Sequence, residues 1–373
     1  MKQIFSPCHY GLKKPLSEFI CLSVAFLLLL ASCTKTEVDP KIASIKPKGP
    51  KPAWGPTITP QMQTVIEKLE SYGTPPLYTL TPEQARKAPT PANAAMDVMK
   101  DYNIAPPPFN VDTMGKDIPV DEGQIHLRIY TPKTGKTVYP VIVYYHGGGW
   151  VIGSPDVYNA STQALSEKAN AIVVSVVYRK APEYKFPTAH NDSYAAYDWV
   201  VRNASSIKGD PNRIAVAGES AGGNLAAAVS MMARDKGNKI PVHELLVYPI
   251  ANYDFNTPSY QMYADAKPLS RPLMQWFFGH YLQNPAQGND TRISLVKANL
   301  KMMPSTTIIA AEIDPLLSEG MLLADKLREA SVAVTYKKYI GVTHEFFGMA
   351  SVIPEAIYAQ ELAVKELKKA FNR

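Results

Sequence analysis

The chain has 373 residues, of which 46% are hydrophobic and 19% are charged, which is enough for one large globular domain or two smaller ones. Its formal net charge of +6 is concentrated near the N-terminus: residues 1–33 carry +2, residues 34–60 carry +3, and the rest of the chain carries about +1. Binding of nucleic acid by the folded body requires a basic surface on that body. The charge distribution therefore excludes a nucleic-acid partner.

The first segment has the pattern of an export signal. Lys13 and Lys14 precede an apolar run, residues 19–30, that is too short for a comfortable transmembrane helix and fits a signal peptide. The run leads into Leu-Ala-Ser-Cys at residues 30–33, which is similar to the lipobox of bacterial lipoproteins. This resemblance implies a signal peptide over residues 1–33 that is cut before Cys33, whose thiol and amine are then lipidated. The alternative is a plain signal peptide with an incidental cysteine.

Cysteine usage agrees with export. Cys8 and Cys21 leave with the leader, so Cys33 is the only cysteine of the mature chain, and neither a disulfide nor a structural zinc site is expected. In lipoproteins, a threonine after the lipidated cysteine, here Thr34, is typical of proteins that are not retained at the inner membrane. We therefore expect a lipid anchor in the bacterial envelope, in the outer membrane rather than the inner one, with a periplasmic or secreted protein as the alternative.

Two segments of different character follow. Residues 34–60 are rich in proline and lysine and lack periodicity, which predicts an extended, solvated tether. Residues 61–110 contain two weak helical patterns broken by prolines. The spacing of Met62, Val65, Ile66 and Leu69 favours a helix packed against the body, and more linker is the alternative.

From Gly123 onward, strand patterns alternate with stretches long enough for helices. Residues 124–132 alternate between apolar and polar side chains, as in a half-buried strand. Continuous apolar runs, typical of parallel strands covered on both faces, follow at residues 139–150, 171–179, 213–220, 243–250, 305–314 and 332–340. This succession predicts one α/β unit with additional segments.

A long insertion breaks the alternation between the runs at 243–250 and 305–314. It contains an aromatic cluster on a predicted helix, formed by Trp276, Phe277, Phe278 and Tyr281. Such a cluster belongs either to the core or to the wall of a lid over the edge of the sheet, and the sequence leaves both alternatives open.

A serine lies where a strand pattern gives way to an alanine-rich helix pattern. Gly218, Ser220 and Gly222 form a G-x-S-x-G motif at this junction. A serine hydroxyl is a poor nucleophile until a base accepts its proton, and that base needs a third group to orient it. The motif alone is weak evidence, but its strand-before, helix-after context favours a catalytic serine.

Candidate catalytic partners of Ser220 follow two other strand patterns. His344 comes shortly after the last strand pattern, at a carboxyl end, where α/β sheets keep their reactive groups. Asp314 closes the preceding strand pattern, and its alternative role is to cap the next helix, near Ser318. Glu312 and Glu319 are close enough in sequence to substitute for Asp314.

A zinc motif is excluded at the candidate histidine. His344-Glu345 begins like the motif H-E-x-x-H, but Gly348 occupies the place of the second histidine.

A glycine-rich stretch, His146 to Trp150, follows the first apolar run. Consecutive glycines allow several N–H groups to point at one spot, where they can stabilise the oxyanion of a tetrahedral acyl intermediate. Loss of one such donor typically costs about 3 kcal/mol. The alternative is a flexible turn.

Taken in order, HGGGW, GESAGG, DPLLSEG and HEFFG resemble the hormone-sensitive-lipase-like carboxylesterases of the α/β-hydrolases, over roughly residues 110–350. The resemblance implies an α/β-hydrolase fold, with a mostly parallel central sheet flanked by helices and covered by a helical cap. It places this domain at residues 61–373, with the cap built from about 61–110 and 251–285.

The resemblance also implies the role of each site residue. Ser220 is the nucleophile, His344 the general base and acid, and Asp314 the orienting carboxylate. The oxyanion hole is formed by N–H groups of Gly148, Gly149 and Ala221, with Gly147 as a further candidate. Two positions depart from the family pattern, because Glu219 and Glu345 stand where many members have aspartate and glycine.

The implied function is that of a serine carboxylesterase for short-to-medium acyl esters. It works through an acyl-enzyme, without a cofactor or metal, on a small-molecule ester. The alternatives are an acetyl esterase acting on acetylated carbohydrates, a long-chain lipase, and a ligand-binding member of the same fold. The complete serine, aspartate and histidine set disfavours the last of these.

Overall fold

The computed structural model describes residues 38–108 and 110–372. The predicted signal peptide and Cys33 lie outside the described residues. No helix in the described ranges is long and apolar enough to cross a bilayer.

An eight-stranded sheet forms the centre of the domain. Its strands are β1 (Val111–Val120), β2 (Gly123–Pro132), β3 (Tyr139–Tyr145), β4 (Ile172–Val177), β5 (Gly209–Glu219), β6 (His243–Val247), β7 (Ser305–Ile313) and β8 (Val334–Thr343). They lie in the order β1-β2-β4-β3-β5-β6-β7-β8. Strand β2 is antiparallel to both β1 and β4, and the other neighbours are parallel. This confirms the predicted mostly parallel sheet.

Helices cover both faces of the sheet, which explains the continuous apolar runs. They are α1 (Pro40–Ala43), α2 (Pro60–Glu70), α3 (Pro82–Lys87), α4 (Pro91–Asp101), α5 (Asn159–Ala169), α6 (Thr188–Asn203), α7 (Ala221–Asp235), α8 (Pro258–Met262), α9 (Arg271–Tyr281), α10 (Leu317–Glu329) and α11 (Pro354–Phe371). All residues of β3 are buried, and its successive side chains alternate between two cores. Val141 packs in the core that contains α6 and α7, whereas Ile142 packs in the core that contains α5 and α11.

The prolines that interrupt the helical patterns of residues 61–110 mark where helices begin. Helices α2, α3 and α4 each start with a threonine cap, at Thr59, Thr81 and Thr90, followed by a proline. The threonine hydroxyl accepts an otherwise unpaired N–H of the first turn, and proline lacks an N–H that would need a partner there. The segment therefore folds as short capped helices.

Residues 34–60 were predicted to be a solvated tether, and the structure corrects this prediction for the part that it describes, from residue 38 onward. Ile42, Ile45 and Ile58 are at most 5% exposed and pack in the core next to α2 and α4. The N–H of Thr59 donates to the carbonyl of Gly341 in β8 at 2.9 Å. Burial of each isoleucine contributes roughly 1.5–3 kcal/mol, which is enough to hold a segment without periodicity against the domain. Residues 38–59 are thus part of the folded unit.

Strand β1 is absent from the sequence prediction. Of its ten residues only Ile118 is buried, and Gly115 and Pro119 interrupt its pattern. It lies at the edge of the sheet and pairs with β2 alone. Because nearly all its side chains face solvent, neither an apolar run nor an alternation marks it in the sequence.

Candidate active site

Ser220 lies at a sharp turn between β5 and α7. Its backbone has φ 57° and ψ −120°, a sparsely populated conformation that a rigid surrounding must maintain. Its N–H donates to the carbonyl of Val247 at 2.9 Å. The turn also requires a glycine after it, since a Cβ on Gly222 would lie 1.9 Å from the carbonyl oxygen of Tyr145. The strand-to-helix turn thus fixes Ser220 at the carboxyl edge of the sheet.

Asp314 and His344 follow the neighbouring parallel strands β7 and β8, which place them side by side. Nδ1 of His344 lies 2.6 Å from Oδ2 of Asp314. A carboxylate can only accept, so the imidazole carries its proton on Nδ1 and keeps the lone pair of Nε2 free for a proton. The other Asp314 oxygen accepts the N–H of Leu316 at 2.8 Å. Asp314 therefore orients the histidine and also stabilises the turn into α10.

The structure brings Ser220 and His344 together in one cavity of about 530 Å³. The two residues are only 4% and 2% exposed. Within the described residues, Nε2 of His344 has no hydrogen-bond partner. The basic nitrogen without a partner and the serine hydroxyl thus belong to two buried residues of one cavity.

Charge around His344 makes it a stronger base. Burial by itself lowers the pKa of His344, but the negative charges of Asp314, Glu345 and Glu219 outweigh that effect and raise the pKa above its ordinary value.

The two alternative acids are engaged elsewhere. Glu312 accepts from the hydroxyl of Thr57 at 3.0 Å and from the N–H of Gly341 at 2.7 Å. Glu319 accepts the N–H of Ala251 at 2.7 Å. The carboxylate that contacts His344 is that of Asp314.

The glycine-rich loop after β3 has a left-handed backbone at three successive residues, with φ of 100° at Gly148, 57° at Gly149 and 60° at Trp150. A Cβ on Gly149 would lie 2.2 Å from the ring of Phe277, so only glycine fits. His146 at the start of the loop is fully buried, and burial, reinforced by a nearby lysine charge, lowers its pKa to about 3. It is therefore a neutral residue that supports the loop, with Nδ1 2.8 Å from the carbonyl of Gly147.

The loop and the serine turn present unused backbone donors. The N–H groups of Gly148, Gly149 and Ala221 donate to no acceptor within the part of the chain that the structure describes. Gly148 and Gly149 line the cavity beside Ser220, whereas Gly147 and the buried Ala221, the residue after Ser220, do not. Three donors of this kind match the requirement of an oxyanion hole.

Comparison with known proteins agrees with this geometry. A family model described as the alpha/beta hydrolase fold matches residues 142–348, which include the glycine-rich loop, Ser220, Asp314 and His344. The chain belongs to this α/β-hydrolase family.

Several relatives of this hydrolase are esterases. It is 38% identical to carboxylesterase NlhH of Mycobacterium tuberculosis over 252 residues. This aligned region covers 66% of this chain and 79% of the relative. It is 32% identical to ethyl acetate hydrolase of Pseudomonas putida, over 67% of this chain and 80% of the relative. A thermostable esterase from Pseudomonas putida ECU1011 superposes with a TM-score of 0.79 at 31% identity, over 85% of this chain and 98% of that one. The chain is accordingly an ester-hydrolysing enzyme.

The cavity of the hydrolase is mainly apolar, and both segments predicted to form a cap contribute to it. One wall comes from α4 and the residues after it, with Ala95, Met96, Met99, Ile104, Pro106 and Pro107. The lining also contains Leu269, Leu273 and Phe277 from α9 and the segment before it, and Met349 and Val352 from the segment after β8. This lining suits an aliphatic chain better than a sugar.

The aromatic cluster of α9 has both of the roles that the sequence left open. Phe277 lines the cavity against the glycine-rich loop. Phe278 and Tyr281 face the core, with ring centroids 5.5 Å and 4.5 Å from that of Trp150. Helix α9 therefore ties the cavity wall to the loop that carries the candidate oxyanion donors.

Sequence reasoning missed a set of buried tyrosines under the site. Tyr144 and Tyr248 each donate a hydroxyl to the carboxylate of Glu219, the first at 2.5 Å. Tyr158 donates to Oε1 of Glu345 at 2.7 Å. Only the unusual glutamates are visible as a signal in the sequence, because each tyrosine belongs to a different element.

Proposed function

We propose that this hydrolase is a serine carboxylesterase that cleaves short-to-medium acyl esters through an acyl-enzyme on Ser220. One observation carries the proposal: Nε2 of His344 is free in the cavity that Ser220 lines, while Nδ1 is held 2.6 Å from Asp314. This is the arrangement in which a histidine accepts the proton of a serine hydroxyl.

In the acylation step, Oγ of Ser220 attacks the ester carbonyl while Nε2 of His344 takes its proton. The negative charge that develops on the carbonyl oxygen is stabilised by the N–H groups of Gly148, Gly149 and Ala221. His344 then gives the proton to the leaving alcohol, and the C–O bond breaks to leave an ester on Ser220.

In the deacylation step, the same histidine takes a proton from water, which attacks the acyl-enzyme carbonyl. The second tetrahedral intermediate uses the same backbone donors, and His344 returns the proton to Ser220 as the acid leaves. Asp314 stabilises the imidazolium in both steps and keeps its Nδ1 hydrogen in place.

The apolar wall of α4 supports a substrate with an acyl chain longer than acetate. Each methylene that enters an apolar channel contributes about 0.8 kcal/mol until the channel is full. With p-nitrophenyl esters from acetate to palmitate, we expect kcat/KM to rise from acetate to a maximum between butyrate and octanoate and to fall for palmitate.

The substitution Ala95→Leu places a larger side chain in this wall and tests the assignment of the channel. We expect it to lower kcat/KM for octanoate and to spare acetate, whose retained hydrolysis shows that the protein is folded. A preference for acetate alone in the wild type would instead favour an acetyl esterase, and a maximum at palmitate would favour a lipase.

We also propose that the enzyme is exported and anchored by lipid on Cys33, in the outer membrane. The charged start, the apolar run at 19–30 and the Leu-Ala-Ser-Cys sequence support this, and all lie outside the described residues. Cells that produce the full chain and are fed radioactive palmitate are expected to label the wild type and Cys21→Ala in the outer-membrane fraction, but not Cys33→Ala. A labelled Cys33→Ala protein rules out this anchor.

A further inference from the structure

We propose that Glu345 and Glu219 are positioning residues of this hydrolase, which keep negative charge beside His344 and so stabilise the imidazolium formed when Ser220 attacks. The inference rests on the proposed role of His344 as general base. It concerns two carboxyl groups that the acyl-transfer steps do not use, both of which line the catalytic cavity.

Glu219 is held at the end of β5, directly before the nucleophile. It is 1% exposed, and its two oxygens accept hydroxyl groups from different elements: Tyr144 at the end of β3 and Tyr248 just after β6. A carboxyl group with both oxygens bound in this way is fixed in position. Its charge therefore acts from a constant place.

Glu345 is held directly after His344. It adopts a left-handed backbone, with φ of 71°, which turns the chain sharply after the catalytic histidine. Its Oε1 accepts the hydroxyl of Tyr158, at the start of α5, at 2.7 Å. The same hydroxyl lies against the glycine-rich loop, since a Cβ on Gly147 would be 2.3 Å from it.

Both glutamates are connected to the histidine. Glu345 is its neighbour in the chain, and the ring of Tyr248, which binds Glu219, lies 4.4 Å from the ring of His344 between centroids. The groups that face the pair are the three tyrosines, His344 itself and Asp314. The negative charges of both glutamates add to that of Asp314 in raising the pKa of His344.

Both carboxyl groups have pKa values above their ordinary range. Burial and the charge of Glu345 raise the pKa of Glu219 to about 7. Burial also raises the pKa of Glu345, against the opposing effect of His344. As the pH falls, the pair takes up protons and loses the charge that favours the imidazolium. The activity should therefore depend on pH through these carboxyl groups as well as through His344.

Glu345→Gln tests the inference because the amide keeps the acceptor for Tyr158 but carries no charge. With less negative charge nearby, the imidazolium is less stable and the pKa of His344 falls. We expect the midpoint of the acid limb of kcat/KM to move to lower pH, by on the order of one unit. Glu219→Gln should move it in the same direction, and the double variant further than either.

Glu312→Gln is the matched control. It removes a carboxylate from β7, at the same edge of the sheet, but Glu312 binds Thr57 and Gly341 rather than the histidine. We expect its acid limb to coincide with that of the wild type. The downfield Nδ1 proton signal of His344 in NMR spectra reports the titration of this histidine without turnover. The test therefore also works for a variant of low activity.

A purely structural role predicts a different outcome for Glu345→Gln. In that case kcat/KM falls by the same factor at every pH, and the midpoint of its acid limb is unchanged. That result, with an unchanged histidine titration, overturns the inference and leaves the proposed function intact. If instead His344→Gln remains active with an unaltered acid limb, the proposed function fails, and the inference fails with it.

Discussion

Replacing Ser220 with alanine is expected to lower kcat for p-nitrophenyl butyrate by on the order of 10⁶-fold. The oxygen that forms the acyl-enzyme is lost, while the backbone donors and the cavity remain and leave only a small residual rate. Ser220 is 4% exposed and its turn is fixed by backbone hydrogen bonds, so the alanine variant should keep the free energy of unfolding within about 1 kcal/mol of the wild type. Steady-state kinetics and urea unfolding measure the two effects.

Ser175→Ala is the matched control for this prediction. Ser175 is a fully buried serine of β4 that is not part of the cavity lining, and its Oγ has no partner within the described residues. We expect it to retain wild-type kcat. If Ser220→Ala keeps more than about 1% of the activity, the variant has lost less than about 3 kcal/mol of transition-state stabilisation. That result would contradict an acyl-enzyme on this serine.

The central strands and the order of the motifs were predictable because their causes are local. Strands such as β3 and β6 are covered on both faces, so all their residues are buried and the sequence shows continuous apolar runs. The turn at Ser220 needs glycines within two residues of it, and Asp314 and His344 directly follow strands. The carboxyl ends of neighbouring parallel strands lie side by side, so residues that directly follow two such strands come into contact.

Features that depend on distant partners were not predictable in this way. Residues 38–59 are held by isolated isoleucines that share a core with residues of α2 and α4, and by the hydrogen bond from Thr59 to Gly341 in β8. Strand β1 is stabilised by its ladder with β2 rather than by buried side chains. Residues 38–59 are rich in proline and β1 is polar, and both compositions are also typical of solvent-exposed, unstructured segments. Composition therefore gives no basis for assigning structure to either segment.

The contacts of Glu219 and Glu345 illustrate the same limit at the site. Both glutamates are visible as departures from a family motif. Their partners are far apart in the chain, since Tyr144 lies in β3, Tyr158 directly precedes α5 and Tyr248 directly follows β6. Their convergence depends on the sheet order and on the position of α5. A sequence can therefore identify an unusual carboxyl group, whereas its partners and its charge state require the fold.

Replacing Asp314 with asparagine is expected to lower kcat by about 10⁴-fold with a much smaller change in KM. The amide is nearly the same size, and its oxygen can still accept the N–H of Leu316, so the turn into α10 is retained. An amide NH₂ facing His344, however, donates to Nδ1 and leaves the imidazole hydrogen on Nε2. The nitrogen that faces the cavity is then a donor and cannot accept the proton of Ser220.

The loss of charge in Asp314→Asn also has a defined pH effect. Asp314 raises the pKa of His344, so its removal lets burial lower that pKa, and the acid limb of kcat/KM should move to lower pH. Glu319→Gln is the control: Glu319 is another fully buried carboxyl group, but it accepts backbone N–H groups of Ala251 and Asn252, as a glutamine oxygen also can. We expect its kcat to remain within about tenfold of the wild type, since replacing a carboxyl group that does not contact the histidine leaves the tautomer unchanged. Equal losses in the two variants would show that Asp314 supports the fold and not the tautomer of His344.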